Sequence, residues 1–206
     1  MLYLLLTISC ISLPECGSSV VIPSGNMQIP IGSYENCQEM TTLTLPSDLM
    51  TILERAFYGC TNLKELVIPN NVMQIGKSAF SHCTSLTQVT LGTNVKTIYD
   101  SCFQGCSSLK SITFPSMLSG IYTHAFSDCT SLSGSLNLPN PLGYIAESSF
   151  SNCPHLTSIS FGGSIDYIGK NAFYGCSGLT GTLTIPSNAR EIQQGAFQYC
   201  SSFTSL

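Results

Sequence analysis

The chain has 206 residues, enough for one domain with a sizeable core, but only 9% of them are charged, against about 25% in an ordinary globular chain. The formal net charge is −4, so the chain has no basic field that could attract nucleic acid or an anionic lipid surface. No apolar run approaches the roughly 20 residues that a membrane-spanning helix needs.

Residues 1–16 stand outside the pattern that fills the rest of the chain. Residues 2–11 form an apolar run of the length typical of a signal peptide, with small residues for cleavage at residues 10–12 or 16–18. The basic residues that usually precede such a run are missing, because the first cationic side chain is Arg55. The alternative is that residues 1–16 form a cap over the N-terminal end of the domain, and both interpretations stay open.

From residue 17 to residue 206 a unit of 23 residues, twice 24, is repeated eight times. Each unit has an isoleucine, an aromatic residue five positions later and a cysteine three positions after that. The isoleucines are Ile29, Ile52, Ile75, Ile98, Ile121, Ile145, Ile168 and Ile192. The aromatic residues are Tyr34, Phe57, Phe80, Phe103, Phe126, Phe150, Phe173 and Phe197, and the cysteines are Cys37, Cys60, Cys83, Cys106, Cys129, Cys153, Cys176 and Cys200. A fixed period in this range predicts a solenoid.

Each unit begins with a predicted strand. The spacing Leu63-x-x-Leu66-x-Ile68 is the L-x-x-L-x-L core of a leucine-rich repeat, and a proline ends the strand in most units. A second apolar pair three residues apart, such as Val72 and Ile75, predicts an extended return segment. One turn of α- or 3₁₀-helix follows, over residues 78–81 in this unit. The fold class is therefore a β-rich leucine-rich-repeat solenoid of about eight units, with a concave parallel sheet and short helical turns on the convex side.

Two further patterns predict local geometry. The position before each cysteine holds Asn36, Gly59, His82, Gly105, Asp128, Asn152, Gly175 or Tyr199. Apart from Tyr199, these residue types tolerate a positive φ, which predicts a left-handed residue where each unit bends back. The two 24-residue units carry one extra residue beside Gly134 and Gly181, which predicts a bulge where the strand begins.

The cysteines favour burial over cross-linking. Cysteines that share one position in successive units form a ladder and point the same way, whereas a disulfide needs specific Cβ geometry. We therefore expect all eight ladder cysteines to be buried free thiols, packing as small hydrophobes. On this interpretation the eleven cysteines do not decide the redox compartment.

The string Ile-Gly-x-x-Ala-Phe-x-x-Cys-x-x-Leu-x-x-Ile-x-Ile-Pro resembles the BspA-like, or Treponema pallidum-type, leucine-rich repeats. Residues 75–91 and 168–185 resemble it most, and the resemblance covers about residues 17–206. It implies a bacterial surface protein or a member of the expansions in parasitic protists, associated with adhesion to host cells and matrix proteins. The family has no common catalytic residues, so the resemblance implies none here, and no membrane anchor is visible in this sequence.

The residue pattern does not indicate an enzyme, a cofactor or a metal site. His82, His124 and His155 occupy different positions in different units, so we interpret them as solvated loop residues. Cys102 and Cys106 have the spacing of a metal or redox pair, but each fills a regular position of its repeat. No nucleophile motif with a matching histidine and acid is present.

The candidate binding site is the outward face of the predicted concave sheet. Its central row comprises Thr44, Val67, Thr90, Thr113, Asn137, Ser160 and Thr184. Such a row suits a protein or glycan ligand, although threonine also simply favours exposed strand positions. The sequence therefore predicts a non-catalytic, adhesin-like protein at the cell surface or secreted.

The alternatives are an intracellular scaffold or a fragment of a longer repeat protein. The last repeat is incomplete, so we also predict self-association through residues 183–206.

Overall fold

The computed structural model describes residues 12–205, and these form a parallel β-solenoid of about eight turns. Most of the segment predicted to be a signal peptide or cap, residues 1–11, lies outside the described part. Each turn contributes one strand to each of two ladders. The first ladder contains β1 (Ser19–Val21), β3 (Thr42–Thr44), β5 (Glu65–Val67), β7 (Gln88–Thr90), β9 (Ser111–Thr113), β11 (Ser133–Asn137), β13 (His155–Ser160), β15 (Gly181–Thr182) and β17 (Phe203–Ser205). The second contains β2 (Gln28–Ile29), β4 (Thr51–Ile52), β6 (Gln74–Ile75), β8 (Thr97–Ile98), β10 (Gly120–Ile121), β12 (Tyr144–Ile145), β14 (Tyr167–Ile168) and β16 (Glu191–Ile192).

The two ladders differ in continuity. All eight strands of the second ladder form one parallel sheet, in which each buried isoleucine pairs with the isoleucine of the next turn. This is the segment that the sequence predicted only as an extended return. The first ladder is divided into four groups, β1–β3, β5–β7–β9, β11–β13 and β15–β17. No helix among residues 12–205 is long and apolar enough to cross a membrane.

A stack of aromatic rings runs through the core. Tyr34 and the seven repeat phenylalanines stack in sequence order, with centroids 5.1–5.6 Å apart and planes within 12° of parallel. Phe126, near the centre of the stack, is completely buried. The ring separation is close to the roughly 4.8 Å spacing of paired strands, so one ring fits each turn.

The segment between the isoleucine and the cysteine of each unit is a pair of tight turns, in place of the predicted helical turn. In the second unit the N–H of Tyr58 donates to the carbonyl of Arg55 at 3.1 Å, within the unit. The N–H of Phe57 instead donates to Ala79 of the next unit at 2.8 Å. Because alternate N–H groups leave the unit, they cannot form the continuous i to i−4 ladder of a helix.

Left-handed residues occur at two positions of every turn. The seven residues predicted to be left-handed before the ladder cysteines all have positive φ, between 58° and 73°. Tyr199, the exception by residue type, has the same conformation, with φ at 61°. A second set lies two residues before the aromatic residue, with φ between 53° and 72°. It comprises Gly32, Arg55, Ser78, Ser101, His124, Ser148, Asn171 and Gly195. This second set was not predicted, because arginine and serine do not signal a left-handed backbone.

The predicted bulges are confirmed. The pairing of β11 with β13 shifts register between Gly134 and Ser135, and that of β15 with β17 shifts between Gly181 and Thr182. Both glycines have φ near 80°, at 79° and 77°. The extra residue of each 24-residue unit is thus absorbed at the start of its strand, and the core positions keep their order.

The ladder cysteines are all buried, and seven of them are free thiols. Each free thiol donates to the carbonyl of the aromatic residue one unit earlier, as Cys106 does to Phe80 at 3.2 Å. Burial raises the pKa of the Cys60 thiol to about 12 and that of Cys83 well above its ordinary value. These side chains therefore act as small core residues that also satisfy a carbonyl.

The expectation that all eight ladder cysteines are free was wrong for the first. Cys37 forms a disulfide with Cys16, with the two Cα atoms 5.7 Å apart. Cys37 lies in the first unit, so no earlier unit covers it, and the segment before β1 crosses it instead. The hydroxyl of Tyr34 donates to the carbonyl of Pro14 at 2.9 Å, and Leu13 packs against the core. Residues 13–16 therefore cover the N-terminal end of the core.

Candidate binding surface

The outward face of the first ladder carries the residues predicted as a binding site. All seven, from Thr44 to Thr184, are exposed, and the intervening strand residues are buried or half-buried. Val67, the one apolar residue of the seven, is 63% exposed. Alternation along each short strand places these side chains in solvent, because neighbouring residues of a strand point to opposite faces.

The structure brings the seven residues together only in part. Val67, Thr90 and Thr113 pair in register in the central group of strands, and Asn137 pairs with Ser160 in the next group. Thr44 pairs with the exposed Val21 in the first group. Thr184 lies beyond the end of β15 and belongs to no strand. The predicted row is therefore a set of short patches.

Two shallow depressions interrupt this face. One, of about 410 Å³, lies where the ladder is divided between β3 and β5, and Leu43, Lys64 and Val67 are among the residues that line it. The other, of about 240 Å³, lies between β7 and β9 and is lined by Thr90, Thr113 and neighbouring residues. Both open to solvent directly, so a ligand surface could enter them without a conformational change.

Hydroxyl groups dominate the chemistry of the face. A hydroxyl both donates and accepts, so a row of them can match many hydrogen-bonding partners. The Ser158 hydroxyl donates to that of Ser135 at 2.7 Å, which shows that neighbouring strands bring these groups within hydrogen-bonding distance. Charges near the face, such as Lys64 and Glu65, are few and of both signs.

The residues considered for catalysis or metal binding do not gather. His82 is exposed and packs edge-on against Tyr58, and His155 is exposed on β13. Burial raises the pKa of both Cys102 and Cys106 well above the ordinary value, which opposes the thiolate that metal binding and redox chemistry need. Within residues 12–205, no three His, Cys, Asp or Glu side chains are grouped so as to hold a metal ion.

Sequence reasoning missed a second exposed surface, on the second ladder. It is a row of four tyrosines, Tyr99, Tyr122, Tyr144 and Tyr167, one in each of four successive turns. The first two follow the buried isoleucine and the last two precede it. This change of position hides the row from a search for a strict repeat.

The sequence from residue 12 to residue 133 and from 133 to 206 matches the model of a BspA type leucine-rich repeat region in six copies. The chain belongs to this family. The BspA-type repeats account for the whole of the two-ladder solenoid described above. No curated protein matches the chain significantly.

Solved structures of other leucine-rich-repeat proteins are similar to this chain. The T. pallidum leucine-rich repeat protein is 28% identical, with a TM-score of 0.68 over 84% of this chain and 72% of that one. A leucine-rich cell surface protein of Faecalibacterium prausnitzii is 27% identical, with a TM-score of 0.57 over 91% and 59%. A leucine-rich repeat protein of Eubacterium ventriosum is 25% identical, with a TM-score of 0.65 over 90% and 43%. The present chain thus spans less than two thirds of the last two proteins.

Proposed function

We propose that this BspA-type protein is a non-catalytic, adhesin-like binding protein, secreted or held at the cell surface. Its ligand, a protein or a glycan, docks on the outward face of the first ladder. The observation that carries the proposal is the central patch of Val67, Thr90 and Thr113, where main-chain pairing of three strands fixes exposed, uncharged side chains in register. A solenoid face of this kind offers an extended contact area.

Two observations support a location outside the cytoplasm. The Cys16–Cys37 disulfide is of a kind that persists in oxidising compartments. The similar F. prausnitzii protein is described as a cell surface protein. An intracellular scaffold is the alternative, and mass spectrometry of native material showing Cys16 and Cys37 as free thiols would favour it.

The test places charge on the central patch. In the variant Thr90→Lys/Thr113→Lys, two ammonium groups would have to be desolvated against a ligand that matches hydroxyls. We expect binding of the labelled protein to cultured epithelial cells and immobilised matrix proteins to fall at least tenfold.

The matched control is Asn94→Lys/Ser116→Lys, which adds the same charge at exposed positions of the same two turns. It should bind like the unmodified chain. Equal losses in both variants, or no binding of the unmodified chain to any of these surfaces, would count against the proposal.

The self-association predicted through residues 183–206 stays a prediction. Ile192 is 45% exposed in the last strand of the second ladder, and Phe203 packs edge-on against Phe197. Self-association can be measured by light scattering of the purified chain at tens of micromolar. A Phe203→Ser variant is the comparison.

A further inference from the structure

Three exposed methionines follow one another in successive turns beside the second ladder. Met27, Met50 and Met73 directly precede β2, β4 and β6, and we call them the methionine row. The N–H of Met50 donates to the Met27 carbonyl at 2.8 Å, and that of Met73 donates to the Met50 carbonyl at 3.2 Å. Their exposed fractions are 59%, 39% and 40%. Half of the six methionines of the chain therefore lie next to one another at the surface.

Packing against the core does not account for the methionine row. In the five later turns the same position holds Lys96, Ser119, Gly143, Asp166 and Arg190. The position thus accepts charged, polar and small residues, and the residue before it, such as Leu49 or Val72, is the one that is buried. What distinguishes the first three turns is the thioether group.

The chemistry of the thioether indicates which ligand the row can hold. A thioether sulfur is a neutral, soft metal ligand, and such ligands select Cu(I). Calcium and magnesium are bound by oxygen atoms, and zinc by thiolates, imidazoles and carboxylates. Because neutral sulfurs cancel none of the charge of the ion, a monovalent ion is favoured over a divalent one.

The spacing of the row fits such an ion. Residues paired between adjacent strands lie about 4.8 Å apart. If each metal–sulfur bond is about 2.3 Å long, as zinc forms with cysteine, two sulfurs on opposite sides of one ion lie about 4.6 Å apart. Two neighbouring methionines can therefore hold an ion between them. The third can turn toward it, because the methionine side chain is unbranched and flexible.

The thiols of the core are poorly placed to compete for this ion in the folded chain. The free cysteines among the described residues are all buried, and burial raises the pKa of Cys83 and Cys106 well above its ordinary value. Metals bind the thiolate, which is the form that burial suppresses. The thioethers of the methionine row are exposed and carry no proton, so an ion arriving from solvent meets them first.

A protein partner fits the row less well than a metal ion does. Methionine is common on adaptable protein-binding surfaces. A stable protein interface, however, needs about 800 Å² from each partner, and three partly exposed side chains provide much less. The two occupants differ in what they require, since a protein partner needs the apolar surface and a metal ion needs the sulfur.

We propose that the methionine row is a binding site for one Cu(I) ion. The thioether sulfurs of Met27, Met50 and Met73 are the ligands, with Met50 between the other two. The row ends at Lys96, whose ammonium has no lone pair to donate and repels a cation. This site is separate from the first-ladder face of the proposed function.

The experiment titrates the folded full chain, labelled with carbon-13 at the methionine methyl groups, with silver nitrate in chloride-free buffer. Ag(I) is the probe because it is also a soft monovalent ion and does not change its oxidation state. The first equivalent should shift the methyl resonances of Met27, Met50 and Met73. The resonance of Met117, which is 46% exposed outside the row, should stay in place. Anaerobic titration with Cu(I) should shift the same three resonances.

Three variants separate the sulfur from the apolar surface. Met50→Leu keeps an apolar side chain and removes the central sulfur, so the affinity for Ag(I) should fall at least tenfold. Met117→Leu is the matched control and should bind like the unmodified chain. Lys96→Met adds a fourth sulfur and removes a positive charge, so it should bind at least threefold more tightly. Circular dichroism checks that all three variants are folded.

The pH dependence of binding separates thioether from thiol ligands. A thiol must lose its proton to bind a metal ion, whereas a thioether has none to lose. We therefore expect equal affinities for Ag(I) at about pH 6 and about pH 8. Release of one proton for each ion bound, an unchanged affinity in Met50→Leu, or a shift of Met117 as large as those of the row would overturn the proposal.

Discussion

At the scale of single residues, each position is constrained by the same position one unit earlier. His82 has a left-handed backbone, and its ring leans toward the next unit, where a Cβ on Gly105 would lie 2.6 Å from the His82 Nδ1 atom. Asn152 and Gly175 form a similar pair, at 2.9 Å. A glycine in this position thus adopts a positive φ and also leaves space for the side chain at the same position one unit earlier. The sequence indicated only the first.

Gly162 and Gly163 provide a direct test of such close packing between units. A Cβ on Gly162 would overlap the carbonyl group of Pro139 in the preceding unit, whereas the nearest atom to a Cβ on Gly163 is 3.9 Å away. We expect Gly162→Ala to lower the free energy of unfolding by about 1–3 kcal/mol, as overpacking does. Gly163→Ala, the control, should change it by no more than about 0.5 kcal/mol. Equal denaturant midpoints for the two variants would show that neighbouring units are not packed this closely.

At the scale of elements, the repeat pattern predicted the strands of the first ladder, the left-handed turns before the cysteines and both bulges. The continuous second ladder was underestimated, because only two residues per turn belong to it and an apolar pair looks the same in a loop. Two of the three divisions of the first ladder precede β11 and β15, the strands of the units with an extra residue. Nothing in the sequence marks the division between β3 and β5. The seven residues of the candidate binding face are exposed, as the alternation along the strands predicted, but the breaks between the groups of strands were not predicted.

The segment before β1 is fixed by a bond that the repeat pattern could not reveal. Cys16 lies outside the repeat and pairs with a ladder cysteine 21 residues later. Closing a loop of this length is worth about 3 kcal/mol in the chain-entropy model.

We therefore expect Cys16→Ser to destabilise the first unit by about 2–4 kcal/mol. Amide hydrogen exchange should then speed up in residues 19–44 and stay unchanged beyond about residue 100, because each unit contacts only its neighbours. Glu15→Ser, at an exposed neighbouring position, is the control. If amide hydrogen exchange in residues 19–44 is as slow in Cys16→Ser as in Glu15→Ser, the segment before β1 contributes nothing to the stability of the N-terminal end.

At the scale of the whole molecule, the thiol ladder makes stability sensitive to alkaline pH. Burial raises the pKa of Cys60 and Cys200 to about 12, and of Cys83 and Cys106 well above the ordinary value of 9.0. Between pH 9 and 12 the unfolded chain releases these protons and the folded chain retains them, so the free energy of unfolding falls as pH rises. Each thiol contributes about 1.4 kcal/mol per pH unit once it is ionised only in the unfolded state.

We expect a steep loss of stability above about pH 9 and a nearly flat profile from pH 7 to 8.5, measured by denaturant melts. Cys102 fills a position that holds alanine in five other units, so Cys102→Ala is a conservative control. In Cys102→Ala the fall in the free energy of unfolding should be less steep, by about 1.4 kcal/mol per pH unit. A profile that stays flat to pH 11 would show that the thiols are not shielded from solvent.

The direction of the main-chain hydrogen bonds has a mechanical consequence. In both ladders these bonds join one turn to the next, so they lie along the solenoid axis. A force that pulls the two ends of the solenoid apart therefore breaks the hydrogen bonds of one turn after another. It does not load the bonds of many turns at the same time. Each turn that opens releases 23 or 24 residues, about 75–85 Å of extended chain. A protein of this kind tethered in flowing liquid would lengthen in steps under a small load while the remaining turns stay folded.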